Sequence, residues 1–331
     1  MSGKFKAKMS TLNLIYAPIS SRIASLGSDN EQFAEQIAKS DFYMIGGRAK
    51  ASFSDVKADL KNMLIHVTIS IAGGPTSKGA IDLSRITELD DDERDTVPLK
   101  YSKDENYITL LIIDSNGNER IIKNYTPESI LMLVGRKNYD TLVGFDNFLE
   151  MSTYDLLYVG IATKGDTFSR LIQHGHYARQ KIMSEEPQRF PGALVSDEIF
   201  IFPFEVDPLF VTSFGVDSEI EDKDLDFTYE SKRIVADAEK AFVSLLKPPY
   251  NKQLFVNYPK GSDGLYNEGL RSYSYSIAEG LRFRTTYGDF NGARDRYIDF
   301  SNDADSIIVE GDEVTVYTAA KKENLISDEA G

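Results

Sequence analysis

Within residues 158–181 the chain gathers Tyr158, Lys164, Arg170, His174, His176, Tyr177, Arg179 and Lys181. Phenols, imidazoles and cations in so short a stretch are groups that can hold a phosphate. A guanidinium donates forked hydrogen bonds to its oxygens, and an imidazole carries a proton near neutral pH. Only three histidines occur in 331 residues, and two of them are here. Between residues 160 and 182, four Lys and Arg residues stand against one acid, Asp166, in a chain of net charge −15. A local basic patch can take a polyanion even so, although the overall charge argues against a protein that coats nucleic acid along its whole surface. The third histidine, His66, falls on the outward side of an alternating run, 63–71, and reads as a half-exposed strand residue rather than a ligand.

The elements that must position these groups follow from periodicity. Residues 154–163 are branched and aromatic enough for a strand, which ends in Tyr158-Val159-Gly160. Lys164-Gly165-Asp166-Thr167 forms a turn with a helix N-cap at Asp166 or Thr167. From Phe168 a helical period sets Leu171, Gly175, Ala178 and Ile182 on one face and Arg170, His174, Tyr177 and Lys181 on another. A second helix, about 228–246, has a core stripe of Ile234, Ala238, Ala241, Phe242 and Leu245, with Glu239 at its margin. A carboxylate held half-dry there suits a hard cation such as Mg²⁺. That helix stops at Lys247-Pro248-Pro249-Tyr250-Asn251.

Elsewhere the pattern predicts a strand over 4–17, a helix over 29–39 with a Ser28/Glu31 capping box, and loop over 73–104. It predicts a hairpin over 106–124 turning at Asn116-Gly117, and a helix over 126–134 capped by Thr126 and Pro127. A strand over 197–206 carries Pro203, which points to an edge or a bulge, and the last hairpin spans 305–317. Arg and Tyr residues are interleaved through 271–296, where they could contact DNA through phosphate pairing and stacking. The chain has no cysteine, no run of eighteen apolar residues and no signal-peptide pattern, which fits a cytoplasmic protein without a membrane span.

The ordered set Tyr158-Val159-Gly160, Arg170, His174, Glu239 and Pro248-Pro249-Tyr250-Asn251 resembles the GIY-YIG nuclease superfamily over roughly 140–255. The family's first motif should end near Asn147, where no tyrosine stands; Gly144-Phe145 is the nearest echo, and Tyr139 or Tyr154 are the candidates to replace it in space. The resemblance implies hydrolysis of a phosphodiester with one divalent metal, Mg²⁺ or Mn²⁺, held by Glu239. Tyr158 would position or deprotonate the attacking water, Arg170 would offset charge at the transition state, His174 would assist proton transfer, and Asn251 would order the site. Gly160, Lys164, His176, Tyr177, Arg179 and Lys181 would meet the nucleic acid.

The expected fold is therefore α+β: a small, mainly antiparallel sheet flanked by helices, with an N-terminal α+β domain and a C-terminal β-rich extension. The expected domains are 1–140, 141–255 with an acidic insertion at 207–227, and 256–331. The expected function is a metal-dependent endonuclease, for restriction, anti-phage defence or mobile-element processing. The alternative is an inactive module of the same kind that binds nucleic acid or protein. DNA rather than RNA is expected only because most of the resembled family acts on DNA. A second copy or a protein partner would use the N-terminal domain.

Overall fold

The computed structural model describes residues 4–59, 61–87, 99–104, 106–113, 116–162, 167, 169–173, 176–215, 220–221 and 230–319. Its strands are β1 (Phe5–Leu14), β2 (Ile19–Ser20), β3 (Phe42–Gly47), β4 (Ala51–Asp59), β5 (Leu64–Ile71), β6 (Thr76–Asp82), β7 (Leu99–Lys103), β8 (Ile108–Ile113), β9 (Glu119–Tyr125), β10 (Leu142–Gly144), β11 (Thr153–Ile161), β12 (Ile199–Ser213), β13 (Ser272–Ile277), β14 (Arg282–Thr285), β15 (Gly288–Asn291), β16 (Ser306–Glu310) and β17 (Glu313–Tyr317). The helices are α1 (Ser21–Leu26), α2 (Glu31–Ala38), α3 (Pro127–Gly135), α4 (Phe148–Met151), α5 (Tyr177–Glu185), α6 (Val195–Glu198) and α7 (Ser231–Leu246), with a π-turn at Ser169–Gln173.

This architecture corrects the expected fold. The chain is mostly β, 39% strand against 23% helix, and not a small α+β core with appendages. Its centre is a curled, mixed, ten-stranded sheet in the order β15-β14-β11-β3-β12-β1-β13-β16-β17, with β2 also on β12. Residues from 1–140, 141–255 and 256–331 all contribute strands to it. Long-range pairing of this kind leaves little trace in local periodicity, because each strand looks the same whether its partner is near or far in sequence. The neighbours β3 and β11 are antiparallel, yet everything from β4 to α4 is inserted between them. That insertion holds two smaller sheets, β10-β6-β5-β4 and β7-β8-β9, around its own core.

Local sequence accounts for the elements themselves. On β5, Ile65, Val67, Ile69 and Ile71 are buried and His66 is exposed, as the alternation predicts. Thr126 and Ser129 close a capping box on α3, with Pro127 in its first turn. α2 is capped by Asn30, whose side chain accepts from the Phe33 N–H at 3.0 Å, and not by Ser28. The region expected as loop, 73–104, contains β6 and β7. Pro203 lies within the sheet, opposite Tyr43 of β3, rather than on an edge strand. It sits where the other neighbour of β12 changes from β2 to β1, and its carbonyl accepts from the Ile15 N–H. The missing N–H therefore removes no ladder bond.

Two clusters line opposite faces of the large sheet. Phe42, Met44, Leu156, Val159 and Ile161 pack with the apolar stripe of α7. Tyr43, Ile45 and Leu157 pack with Leu171 and Ile182 on the other side. The aromatic side chains Phe42, Phe202, Phe204 and Phe242 are wholly buried, each stabilising the fold by about 1.5–3 kcal/mol relative to exposure.

Candidate functional site

On β11 the register slips between Leu156 and Tyr158. This β-bulge breaks the alternation: Leu156 and Val159 belong to the α7 face, whereas both Leu157 and Tyr158 pack on the Tyr43 face. Tyr158 thereby stacks on Tyr43 with ring centroids 6.0 Å apart and planes at 23°. His176 meets both rings edge-on, at 5.9 Å from Tyr43 and 5.3 Å from Tyr158. The Tyr43 hydroxyl lies 3.3 Å from His176 Nε2. Tyr43 is fully buried, and Tyr158 and His176 are half-buried. A hydroxyl–imidazole pair next to a second, more accessible phenol is an arrangement that can orient a water and move its proton.

The helix expected from Phe168 is broken. A π-turn at Ser169–Gln173 is followed by α5, which starts only at Tyr177, and His176 is its extended N-cap residue. The break places His176, rather than an uninterrupted helix face, against the two tyrosines. Gly160 follows Tyr158 by two residues, and a Cβ there would lie 2.7 Å from both the Tyr158 ring and the Tyr43 hydroxyl. Only glycine leaves the ring pair in place.

Among the described residues, no strand pairs with the outer edge of β11 beyond Asp155, because β14 pairs only with residues 153–155. The segment after α7 covers this edge. The Tyr250 N–H donates to the Leu157 carbonyl at 3.1 Å. The Asn251 side chain accepts from the Val159 N–H at 3.0 Å and donates to the Val159 carbonyl at 2.8 Å. One amide thus satisfies both backbone groups of the residue between Tyr158 and Gly160. The left-handed Lys247 and Pro248-Pro249 end α7 and turn the chain to reach this position. The Tyr250 hydroxyl donates to Glu186 at 2.8 Å; burial and then the Glu186 carboxylate push the phenol up to about 12.

Glu239 stands half-buried on α7, whose apolar side packs against the face of β11 opposite to the tyrosines. Among the described residues, no group of three or more His, Cys, Asp or Glu side chains forms a metal cage. A single half-buried carboxylate fits the other kind of site, in which Mg²⁺ keeps several waters and takes further oxygens from substrate phosphates.

The remaining expected residues have diverse surroundings. Arg179 is turned inward: Nη1 donates to the Leu171 carbonyl at 2.9 Å, and Nη2 to the Ser21 carbonyl and the Ser25 hydroxyl, each at 2.7 Å. Burial lowers the pKa of its guanidinium, which ties α1 to α5 instead of facing solvent. Lys181 pairs with Glu185 at 3.7 Å and lies over the Tyr250 ring. Tyr177 is exposed, with the Lys252 ammonium 4.4 Å from its ring centroid. Lys164, His174 and the Arg170 side chain lie outside the described residues.

The tyrosine sought near Asn147 is not found at either stand-in position. Tyr154 is buried on the α7 face, its hydroxyl accepting from Arg48 Nη1 at 2.8 Å. Tyr139 pairs with Tyr125 in the inserted unit. The phenol beside Tyr158 is Tyr43, whose signal in the sequence is the short apolar run Phe42-Tyr43-Met44-Ile45 before Gly46-Gly47. No helix of the described residues is long and apolar enough to cross a membrane. No family model, curated protein or solved structure matches this chain.

Proposed function

We propose that the chain is a metal-dependent endonuclease of the GIY-YIG kind, acting on DNA in the cytoplasm, with its hydrolytic centre at Tyr158, Tyr43 and His176. The observation that carries this reading is the stacked pair Tyr43/Tyr158 on adjacent antiparallel strands, closed by His176 and braced by Asn251 at Val159. In this reading Tyr43 of β3 stands in for the tyrosine that the resembled family's first motif carries and that residues 142–150 lack.

In this reading the half-buried Tyr158 hydroxyl meets the attacking water. Tyr43, wholly buried, holds the Tyr158 ring and hydrogen-bonds His176, which accepts the proton from the water as its oxygen bonds to phosphorus. The phosphorus–oxygen ester bond opposite breaks, and the departing alkoxide takes a proton from solvent. Arg170 offsets charge on the phosphoryl oxygens, and His174 assists the proton transfers. When bound through Glu239, Mg²⁺ or Mn²⁺ supplies electrostatic stabilisation of the phosphate and the leaving oxygen. Lys181, Tyr177 and Lys164 offer contacts to the polymer backbone.

The test is cleavage of mixed single-stranded, duplex and branched DNA with Mg²⁺ or Mn²⁺, comparing wild type with Glu239→Ala. Metal-dependent cleavage that falls by about 10²-fold or more in the variant is the expected result. DNA binding without cleavage by either protein would replace this reading with that of an inactive binding module.

A further inference from the structure

A cavity of about 620 Å³ lies between α1 and α5, within the range of about 300–1,000 Å³ typical of small-molecule sites. His176 belongs both to its lining and to the tyrosine cluster, with Nε2 3.3 Å from the Tyr43 hydroxyl. Ser21 and Arg179 form its buried floor. Leu26, Gln180 and Ser184 are exposed and stand at its rim.

The charge of this lining is unbalanced. Among the described residues that line it there is no Asp or Glu. Arg22 is matched by Asp197, which lies outside the lining, at 3.2 Å. Arg179 is held differently. Its Nε donates to the Ser21 hydroxyl at 3.4 Å, and its other bonds go to the Leu171 and Ser21 carbonyls and the Ser25 hydroxyl. Each of these acceptors is a neutral oxygen. The guanidinium is therefore fixed in place while its charge is left uncompensated, with no ion pair to it among the described residues. A charge held this dry without a counter-charge is costly, and an anion entering the cavity offsets that cost. Gln180 and Ser196 bring amide and hydroxyl donors that suit phosphate oxygens, and Leu26 and Met183 give an apolar wall for a sugar or base. We infer that this cavity takes a phosphate of the substrate strand, next to the one attacked beside Tyr158, with Arg179 as its counter-charge; the inference rests on the nuclease reading.

The test is binding of fluorescein-labelled single-stranded and duplex oligonucleotides to the full chain, read by anisotropy at low salt without divalent metal, so that binding is separated from cleavage. Arg179→Gln removes the charge at its source. Gln180 is exposed on α5, so changes there keep the test decisive where Arg179→Gln does not fold. Affinity should fall by about tenfold in Gln180→Glu and rise severalfold in Gln180→Lys, since each places a full charge at the cavity rim. Gln32→Glu, the same charge change at an exposed position of α2 outside the lining, should leave affinity within about twofold. Three results would overturn the inference: no binding of either oligonucleotide by the folded wild type, equal affinity in wild type and both Gln180 variants, or an equal loss in Gln32→Glu and Gln180→Glu. Cleavage with Mg²⁺ or Mn²⁺ separates the two readings. Cleavage by wild type with unchanged binding in the Gln180 variants would remove the pocket and keep the nuclease. Binding that follows the charge at Gln180 in a protein that does not cleave would keep the phosphate pocket and remove the nuclease.

Discussion

Gly160 and Asn251 act through shape and hydrogen bonding rather than charge, and both are open to single substitutions. Gly160→Ala places a methyl group 2.7 Å from two aromatic groups, one of them on fully buried Tyr43, so the ring pair must separate. Overpacking of this kind costs about 1–3 kcal/mol, and DNA cleavage should fall with it. Asn251→Ala leaves the Val159 N–H and carbonyl without their side-chain partners at the open edge of β11. A loss of about 1–3 kcal/mol in urea unfolding, with a larger proportional loss of cleavage, is expected. An Asn251→Ala variant of wild-type stability would show that water replaces the amide at no cost. At this scale the sequence was legible where a residue type has one use. Gly160 and Asn251 stand in order with Tyr158, and the structure gives each a contact with that strand or its ring. Arg179 was not legible in the same way. A guanidinium on a helix reads as solvated, and only the tertiary structure turns it onto the carbonyls of Leu171 and Ser21.

Among the elements, α7 is held by a buried polar group that periodicity cannot reveal. Asp237 accepts from Tyr258, Tyr275 and the Leu265 N–H at 2.8, 2.9 and 2.7 Å, and Lys8 of β1 lies 3.5 Å from the Tyr275 hydroxyl. Burial brings the Lys8 ammonium down to about 7 from its ordinary 10.5, opposed by the charge of Asp237. Between about pH 7 and 10.5 the unfolded chain therefore holds a proton that the folded chain has lost, and stability rises with pH across that window. Above pH 10 the sign reverses. Burial raises the pKa of Tyr258, Tyr273 and Tyr275, so the folded chain keeps protons that the unfolded chain releases. Unfolding temperature against pH should thus pass through a maximum near pH 10. In Lys8→Met the rise from pH 7 should vanish while the alkaline fall remains; an unchanged profile would remove Lys8 as its source.

Several elements were readable from alternation, caps and turn residues, including β5, α3, α7 and the β16–β17 hairpin turning at Gly311, whose φ is +58°, whereas β3, β4, β6, β7 and β13–β15 were not. The failures have identifiable causes, one local and one long-range. The helix expected from Phe168 breaks because its period continues across His176, where the backbone is extended. β12 extends to Ser213, through residues that composition assigned to an acidic insertion, because β1 pairs with its residues Phe204–Ser213.

For the whole molecule, the unreadable feature was the sheet order. β3 and β11 are neighbours although the inserted unit separates them in sequence, and no local pattern records that pairing. The unit is seated on the large sheet by an ion pair whose carboxylate, Glu279, is buried. Arg136 donates to both Glu279 oxygens, at 2.9 and 2.6 Å, and to the Leu14 carbonyl, while Glu279 also accepts from the Leu14 N–H. Next to this bond the backbones of Gly135 and Gly280 are so close that a Cβ at Gly135 would lie 2.9 Å from the Gly280 Cα. Glu279→Ala strands the Arg136 charge and the Leu14 N–H, and a loss of about 3–5 kcal/mol in denaturant unfolding is expected. A loss below about 1 kcal/mol, the scale of a surface pair, would mean that the seam opens readily to water.

The proposed hydrolytic centre depends on this sheet order, since Tyr43 and Tyr158 meet only when β3 lies beside β11. The most direct measurement is single-turnover DNA cleavage with Mg²⁺ or Mn²⁺ by wild type, Tyr158→Phe and Tyr43→Phe, each checked for native stability. Removal of the Tyr158 hydroxyl should lower the rate by about 10²–10⁴-fold, and removal of the Tyr43 hydroxyl should also slow it through His176. Wild-type cleavage by a folded Tyr158→Phe variant would contradict the assignment.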